Sequence, residues 1–177
     1  MSAPEAILFD LDGVLIDSRA AITGCMNDAL EAVGLPRHDP RDLERSIGPP
    51  QLESFTELAE LATRSRLGIA TSKPQAYAEP LVERLGLAPH FVVVVGPDLD
   101  VDSEPKRVTV ARALEAMDVS GPPLVGDRSH DVEAAIANGM ACVGVLWGIG
   151  SEVELREAGA AAIVSDPVEL LGTFSSA

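Results

Sequence analysis

The stretch Ala6-Ile7-Leu8-Phe9-Asp10-Leu11-Asp12-Gly13-Val14 opens with four apolar residues and then places two carboxylates beside a glycine. A short apolar run of this kind is typical of a strand that is buried on both faces of a sheet. Asp10 and Asp12 are two residues apart on what is then extended chain, so their side chains project to the same side. Gly13 allows the chain to turn sharply away from the strand. The stretch therefore predicts a buried strand that ends in two carboxylates.

Five further runs along the chain are short, apolar and often β-branched, and stretches with helical periodicity separate most of them. The predicted strands are Ala6–Phe9, Leu67–Ala70, Phe91–Val95, Pro123–Val125, Ala141–Leu146 and Ala161–Val164. The predicted helices are Gln75–Leu85, Lys106–Met117, Ser129–Asn138 and Glu152–Ala158, and glycines at 86, 139 and 159 stand where three of them would end. This alternation implies right-handed crossovers and hence an α/β fold with a Rossmann-like, doubly wound parallel sheet.

Residues 15–64 interrupt the alternation, because they contain no strand-like run. They include an amphipathic stretch, Ala20–Val33, that Gly34 would end, and a second helical stretch at Gln51–Arg64. We interpret this interval as a small helical unit inserted after the first strand. The predicted division is a core of residues 1–14 and 65–177 and an inserted unit of residues 15–64, with a loose tail at residues 174–177.

Composition restricts the classes of function that fit this chain. Its 177 residues carry a formal net charge of −15, and such a molecule repels phosphate backbones and anionic lipid, so nucleic-acid and membrane binding are not expected. No apolar stretch approaches the roughly 20 residues of a membrane span, and no signal peptide is recognisable. Cys25 and Cys142 form no disulfide framework and lack metal-ligand spacing, which favours a reducing cytoplasm. These features predict a cytoplasmic protein and indicate no particular oligomeric state.

Polar side chains stand at the carboxyl ends of the predicted strands. Asp10 and Asp12 follow the first strand, Thr71-Ser72-Lys73-Pro74 follows the second, Gly126-Asp127-Arg128-Ser129-His130-Asp131 follows the fourth, and Lys106 precedes the helix after the third. Ligands bind at this edge of open α/β sheets. We therefore expect these groups to share one pocket.

Four carboxylates in one pocket, those of Asp10, Asp12, Asp127 and Asp131, repel one another unless a cation lies between them or some of them keep a proton. Asp127 and Asp131 are four residues apart and share a helix face if the helix begins near Arg128. A divalent ion that prefers oxygen ligands removes the repulsion. Mg²⁺ fits best, because it combines a few carboxylates with waters and a substrate phosphate.

Several of the remaining groups have a simpler interpretation. Ser72 and Ser129 are expected to cap the helices that follow them, and Trp147-Gly148-Ile149-Gly150 is expected to be a plain turn. Of the 13 basic residues, 11 are arginines and two are lysines, Lys73 and Lys106. Because an ammonium and a guanidinium are not interchangeable, each lysine is a candidate for a specific chemical role.

The sequence Asp10-Leu11-Asp12-Gly13-Val14-Leu15-Ile16-Asp17-Ser18 resembles the first motif of the haloacid dehalogenase superfamily. Thr71 is similar to the second motif, Lys106 to the third, and Gly126-Asp127 with Asp131 to the fourth, in the same order. The phrases Ala70-Thr71-Ser72-Lys73-Pro74 and Val125-Gly126-Asp127-Arg128 resemble the phosphoglycolate phosphatase-like branch. In that branch a helical cap is inserted between the first two motifs.

The resemblance implies a Mg²⁺-dependent phosphatase that hydrolyses a small phosphorylated metabolite. Asp10 would be the nucleophile that becomes an aspartyl phosphate, and Asp12 would be the general acid and then the general base. Thr71, with Ser72 beside it, and Lys106 would hold the phosphoryl oxygens.

The resemblance also implies a ligand set for the metal. Mg²⁺ would be held by the Asp10 side chain, the Asp12 backbone carbonyl and Asp127, and Asp131 would support it through water or by pairing with Lys106. Lys73 is left near the start of a helix, where it would reach solvent or a nearby acid and matter less for turnover than Lys106. Lys106 is expected to add little stability without bound phosphate.

Only 61 residues separate Asp10 from Thr71, whereas members of this branch carry a cap of four or five helices. A shortened cap excludes less water, so a weak or inactive member of the family is an alternative. A phosphomutase is a further alternative, because it differs in cap closure and water exclusion and not in these motifs. A dehalogenase would not need Asp12, and a phosphonate hydrolase would use a cap lysine, which residues 18–58 lack. A phosphoacceptor module such as a response-regulator receiver is the alternative outside enzymes. Its phosphorylated Asp would follow the third strand, where this chain offers only Asp98.

Overall fold

The computed structural model describes residues 4–17, 54–100 and 104–174, together with residues 27, 31, 34, 36 and 37. Strands β1 to β6 are Ala6–Phe9, Arg66–Ala70, Phe91–Val95, Leu124–Gly126, Cys142–Val145 and Ala162–Val164. Helices α1 to α6 are Ser54–Ala62, Gln75–Arg84, Lys106–Met117, Ser129–Ala137, Glu152–Ala158 and Pro167–Phe174, and a 3₁₀ turn covers Ala88–His90. Every predicted strand and helix outside the insertion is therefore present, with ends that differ by no more than one residue.

The six strands form one sheet in the order β3-β2-β1-β4-β5-β6, and every neighbouring pair is parallel. The chain builds one half of the sheet outward from β1 and then returns to build the other half from β4. The loops that follow β1 and β4 diverge, which opens a crevice at the carboxyl edge between them. This topology confirms the α/β, Rossmann-like, doubly wound fold.

The sheet separates two hydrophobic layers. Ile7 and Phe9 of β1 pack into the layer formed with α1, α2 and α6, whereas Ala6 and Leu8 pack into the layer formed with α3, α4 and α5. This alternation is the period of two that an extended chain imposes on its side chains. Burial of each large apolar side chain contributes roughly 1.5–3 kcal/mol, so the strand that carries Asp10 is held firmly from both faces.

The outer strands differ from the sequence expectation of full burial. Val92 in β3 is 53% exposed, because β3 lies at the edge of the sheet and has a neighbour on one side only. The glycines at positions 86, 139 and 159 do end helices, each with a positive φ. Among the described helices, none is long and apolar enough to cross a bilayer.

The structure places Phe174, the first residue of the expected loose tail, in a helix, and residues 175–177 lie outside the described residues. Phe174 closes α6, is buried, and packs in the same hydrophobic layer as Phe9, so it does not belong to a tail. Helix α6 is not among the helices predicted from the sequence, because its eight residues show little polar alternation.

Most of the predicted insertion lies outside the described residues. Within Ala20–Val33, Asn27 and Glu31 are helical, and Gly34 has a φ of 77°. Helix α1 is the described part of the second predicted helix, and its Leu58 and Leu61 are buried in the same layer as Phe9.

Candidate active site

The carboxyl ends of β1 and β4 place two acidic residues side by side at the crevice. The Asp10 N–H donates a 2.9 Å hydrogen bond to the Val125 carbonyl, which continues the pairing of the two strands by one step. Asp127 follows β4 directly, and both acids are buried. Their proximity is a consequence of the strand order, since 117 residues of chain separate them.

Lys106 is the first residue of α3, the helix that follows β3, and its side chain contacts Asp10. Its Nζ lies 2.6 Å from Asp10 Oδ1 and 3.0 Å from Asp131 Oδ1. Burial alone would lower the pKa of the lysine, but attraction to the two carboxylates outweighs it and raises that pKa. Lys106 is therefore a cation at every ordinary pH.

For Asp10, the candidate nucleophile, the effect of burial on the pKa outweighs the attraction of Lys106. Burial raises its pKa to about 7, and the repulsion from Asp131 adds to this, while Lys106 opposes both. A carboxyl in such a position stays ionised near neutral pH only with more positive charge close to it. The site thus has a deficit of cations that Lys106 alone does not remove.

The loop between β4 and α4 is organised by Asp131. Its Oδ2 accepts hydrogen bonds of 3.1 Å from the backbone N–H groups of both Asp127 and Arg128. Arg128 is the residue before α4, so Asp131 satisfies an N–H at the helix start from inside the first turn. The expected Ser129 cap is wrong, because Ser129 is already the first residue of α4 and the position before the helix belongs to Arg128.

Glu154 of α5 holds this loop from the other side. Its Oε1 accepts hydrogen bonds of 2.9 Å from Arg128 Nε and from the Ser129 N–H. Burial is the largest single effect and raises its pKa, but these hydrogen bonds and the attraction to Arg128 together outweigh it and lower the pKa of Glu154 to about 2. The sequence analysis did not single out Glu154, since nothing local distinguishes it from the other surface acids of a strongly acidic chain.

Asp127 is enclosed by the segment that follows β5. The Ile149 N–H donates a 2.6 Å hydrogen bond to Asp127 Oδ2, and burial raises the pKa of this carboxyl to about 6. A Cβ built on Gly148 would lie 2.3 Å from Asp127, and one built on Gly13, whose φ is 83°, would lie 2.4 Å from its Oδ2. Both positions therefore exclude a side chain.

The segment Trp147-Gly148-Ile149-Gly150 is thus a wall of the site rather than a plain turn. Trp147 also donates from Nε1 to the Val14 carbonyl at 3.1 Å, which ties the segment to the loop after β1. One available signal was overlooked: the two glycines follow β5 at the same sheet edge as the other site residues.

Three carboxylates are close enough to hold a cation together. Asp10, Asp127 and Asp131 each offer an oxygen within 4.8 Å of the others. Asp127 Oδ1 is buried and has no hydrogen-bond partner among the described residues. An oxygen-only donor set with an unsatisfied buried carboxylate oxygen fits a hard divalent cation such as Mg²⁺. The fourth predicted carboxylate, Asp12, has its side chain outside this cluster.

The loop after β2 brings in Thr71. Its N–H donates to the Val95 carbonyl at 2.9 Å, and its buried hydroxyl accepts a 3.1 Å hydrogen bond from the Lys73 N–H. The hydroxyl proton is then available to an oxygen in the crevice. Ser72 is exposed, and α2 starts after Pro74 without a side-chain cap, so the expected Ser72 cap is also wrong.

Lys73 extends from this loop toward the loop after β1. Its Nζ lies 3.1 Å from Asp12 Oδ2. The sequence analysis allowed for solvent or a nearby acid as its partner, and the acid is the one beside the nucleophile candidate. A cleft of about 470 Å³, lined by Ser72, Arg107 and His130 among others, opens next to Lys106. Of the predicted site residues, Ser72 and Lys106 line this cleft.

Comparison with known proteins relates this arrangement to one enzyme family. The sequence model of the haloacid dehalogenase-like hydrolases matches at residues 7–65 and again at residues 56–145. A 5'-nucleotidase from Pseudomonas aeruginosa is 32% identical over 190 residues, covering 85% of this chain and 86% of the relative. A phosphoglycolate phosphatase from Chromobacterium violaceum is 27% identical over 190 residues, covering 81% and 86%.

Another relative has a different activity. The tyrosine-protein kinase PtkA of Mycobacterium tuberculosis is 30% identical over 186 residues, covering 84% of this chain and 64% of the kinase. Among solved structures, a predicted phosphatase from Clostridium acetobutylicum superimposes with a TM-score of 0.89 at 27% identity, covering 97% of this chain and 98% of the other. These matches agree with the strand order and with the acids at the carboxyl ends of β1 and β4. The chain belongs to the haloacid dehalogenase-like hydrolase family.

Proposed function

We propose that this protein is a Mg²⁺-dependent phosphatase that hydrolyses a small phosphomonoester through an aspartyl phosphate. The observation that carries the proposal is the placement of Lys106 between Asp10 and Asp131, with Asp127 beside them. A buried cation shared by two carboxylates, next to a third that lacks a full set of partners, supports binding of a phosphate dianion together with a metal ion.

The first step transfers the phosphoryl group to the protein. An Asp10 carboxylate oxygen attacks phosphorus, a new P–O bond forms, and the ester P–O bond breaks. Asp12 gives its proton to the departing alkoxide, so an alcohol leaves. Thr71 donates a hydrogen bond from its hydroxyl and Lys106 contributes positive charge to the phosphoryl oxygens. Ser72 is exposed at the mouth of the crevice as a further phosphate contact.

The second step returns the protein to its starting state. A water molecule attacks phosphorus, Asp12 takes the proton of that water, and the bond between phosphorus and the Asp10 oxygen breaks. Inorganic phosphate leaves, and Asp10 is again a carboxylate. Asp12 is thus an acid in one step and a base in the other, which requires a carboxyl that is partly accessible to water, as its 23% side-chain exposure provides.

Asp10, Asp127 and the Asp12 backbone carbonyl would hold Mg²⁺, supported by Asp131. When bound, the ion supplies positive charge that offsets repulsion between the carboxylates and the phosphate. The raised pKa values of Asp10 and Asp127 support this assignment, because they indicate acids with too little compensating charge of their own.

For residues 15–64 we propose a shortened cap that is anchored to the core by Leu58 and Leu61 of α1. The two matches to the family model overlap at residues 56–65. Such an overlap is expected if this chain lacks part of the cap segment that lies between the first and second motifs of its relatives. A reduced cap favours open access to the crevice over tight exclusion of water. For the same chain we propose a cytoplasmic location, from its composition.

Turnover of p-nitrophenyl phosphate with Mg²⁺ and with excess EDTA tests the proposal. We expect hydrolysis with Mg²⁺ and none in EDTA, restored by added Mg²⁺. No turnover of this or any phosphomonoester would support a catalytically inactive member of the family instead. A panel of phosphoglycolate, nucleoside 5'-monophosphates, sugar phosphates and pyrophosphate then ranks substrates, since two relatives carry the names of the first two classes.

Two other outcomes would point to related activities. Conversion of one sugar phosphate into its isomer, with no net phosphate release, would indicate a phosphomutase. Transfer of radiolabel from ATP to protein tyrosine would indicate the activity for which the PtkA relative is named.

A further inference from the structure

We propose that Lys73 is a positioning residue that holds Asp12 in place for proton transfer to the leaving group. This inference rests on the proposed function, since it concerns the acid of that reaction. Lys73 itself touches no reacting atom: it acts through Asp12.

The contact that carries the inference joins two loops. Lys73 Nζ lies 3.1 Å from Asp12 Oδ2, and both side chains are about three-quarters buried, with 25% and 23% exposure. The other oxygen, Asp12 Oδ1, is buried and has no hydrogen-bond partner among the described residues. The carboxyl group is therefore held through one oxygen, and among the described residues Lys73 is the side chain that fixes its orientation.

Lys73 reaches Asp12 from a rigid backbone. Its N–H donates to Thr71 Oγ1, and its carbonyl packs so closely on Gly96 that a Cβ there would lie 2.2 Å away. Gln75, two residues further on, donates to the Val94 carbonyl at 2.8 Å and accepts from the Gly96 N–H at 2.6 Å. Hydrogen bonds to β3 thus fix the loop from which the ammonium projects.

The turn that carries Asp12 is also well defined. The Gly13 N–H donates to the Ile16 carbonyl at 2.9 Å, and Asp12 forms an isolated bridge with Ile16. With both backbones fixed, the Lys73–Asp12 pair determines the side-chain rotamer of Asp12. Without it, a partly exposed Asp can turn toward water, and misplacement of a catalytic group by about 1 Å can cost about 10²-fold in rate.

The second lysine of the chain cannot replace Lys73 in this role. Lys106 is engaged by Asp10 and Asp131. The chain contains no other lysine, and a guanidinium fork has a different reach and shape. Asp12 therefore depends on Lys73 for its orientation.

The predicted signature is a dependence on the leaving group. An alkoxide needs a proton from Asp12 as it departs, whereas p-nitrophenolate departs almost without one. The experiment compares kcat/KM of the Lys73→Met variant for p-nitrophenyl phosphate and for n-propyl phosphate, which has no charged group besides its phosphate. We expect a loss of about 10-fold or more for the alkyl ester and under about 3-fold for the aryl ester, with partial recovery in Lys73→Arg.

A double-mutant cycle shows whether Lys73 acts through Asp12. With the alkyl ester, Lys73→Met should add almost nothing to the loss already caused by Asp12→Asn. Arg84→Met is the matched control: it removes an exposed cation from the end of α2 and should change neither rate. Thermal unfolding of each variant verifies that the fold is retained.

Three results would overturn the inference. Equal losses of kcat/KM for both esters would indicate that Lys73 only neutralises charge in the crevice. An unchanged kcat/KM for both would show that Lys73 has no role in the reaction. A loss seen with phosphoglycolate but not with n-propyl phosphate would mean that Lys73 binds an anionic substrate directly. If the wild-type protein hydrolyses neither ester, the proposed function itself has failed, which is a distinguishable outcome.

Discussion

Lys106 donates a 2.6 Å hydrogen bond to Asp10 across 96 residues of sequence. Both residues are buried, so this pair lies inside the folded core. Because Asp10 and Asp131 are both partners of Lys106, we now expect a larger contribution to stability than the small one predicted from the sequence. A phosphate that enters the crevice shares a cation that is already in position, which keeps the reorganisation of the site small.

Lys106→Ala is expected to lower kcat/KM by about 10²–10³-fold, because it removes a preorganised charge from the phosphoryl group. It should also lower the free energy of unfolding by about 1–3 kcal/mol, since two buried carboxylates lose their partner. Lys106→Arg should restore little of either, because the planar fork does not fit the space of an ammonium. Steady-state kinetics and urea unfolding measure the two effects. Unchanged stability would show that the ion pairs contribute nothing to folding.

Asp10→Asn is expected to abolish turnover and the acid-stable phosphoenzyme while the fold is retained, because an amide of the same volume is a far weaker nucleophile. Acid quenching of a reaction with radiolabelled substrate measures the covalent intermediate. Asp98→Asn, at an exposed acid, is the control and should behave as the wild type. Labelling of the Asp10→Asn variant at the wild-type level would assign the nucleophile to another residue.

Mg²⁺ is expected to raise the melting temperature of the wild-type protein, because a ligand that binds only the folded state adds about 2.7 kcal/mol at 100 times its Kd. Asp127→Asn should lose most of this increase, since it removes a carboxylate from the cluster with Asp10 and Asp131. Thermal scans with and without Mg²⁺ provide the measurement, again with Asp98→Asn as control. An increase that survives in Asp127→Asn would place the ion elsewhere.

Gly148→Ala is expected to displace Asp127, because a methyl group there would lie 2.3 Å from that side chain. We expect destabilisation of about 1–3 kcal/mol and a weaker response to Mg²⁺. Gly172→Ala is a matched control inside α6 with nothing within 4 Å of the added methyl group, and it should be stabilising by about 0.5–1 kcal/mol. If both variants behave alike, the packing of Gly148 against Asp127 is not required.

Glu154→Gln is expected to destabilise the protein in a pH-dependent way. The pKa of Glu154 in the folded protein, about 2, lies below its ordinary value of 4.5, so the unfolded chain binds the proton more readily. The stabilisation is therefore fully present above about pH 4.5 and is lost as the pH falls toward about 2.

The measurement for Glu154 is the difference in melting temperature between wild type and variant, from about pH 7 to about pH 3, which should narrow below about pH 4.5. Glu152→Gln is the control, because its pair with Arg156 is exposed and worth under about 1 kcal/mol. A difference that stays constant across this range would contradict the role of the Glu154 charge.

The sequence by itself determined the fold and the set of acids and lysine at the sheet edge. Its strands alternate with amphipathic helices, and this periodicity is a local property of the chain. Asp10, Asp127, Asp131 and Lys106 could be predicted because each follows an apolar strand or begins a helix, and parallel strands carry such positions to one edge. Burial of β3 was overpredicted, since nothing in Phe91–Val95 indicates that the strand lies at the edge of the sheet.

Only the tertiary structure decided how the side chains pair within the site. Three contacts join segments that are distant in sequence. Lys73 pairs with Asp12, Gly148 leaves no room for a Cβ beside Asp127, and Glu154 accepts a hydrogen bond from the Ser129 N–H at the start of α4. These pairings depend on the relative positions of helices and strands, which close packing of the two hydrophobic layers sets. Periodicity carries no such information, and the roles of Lys73 and of the loop after β5 therefore emerged only from the folded chain.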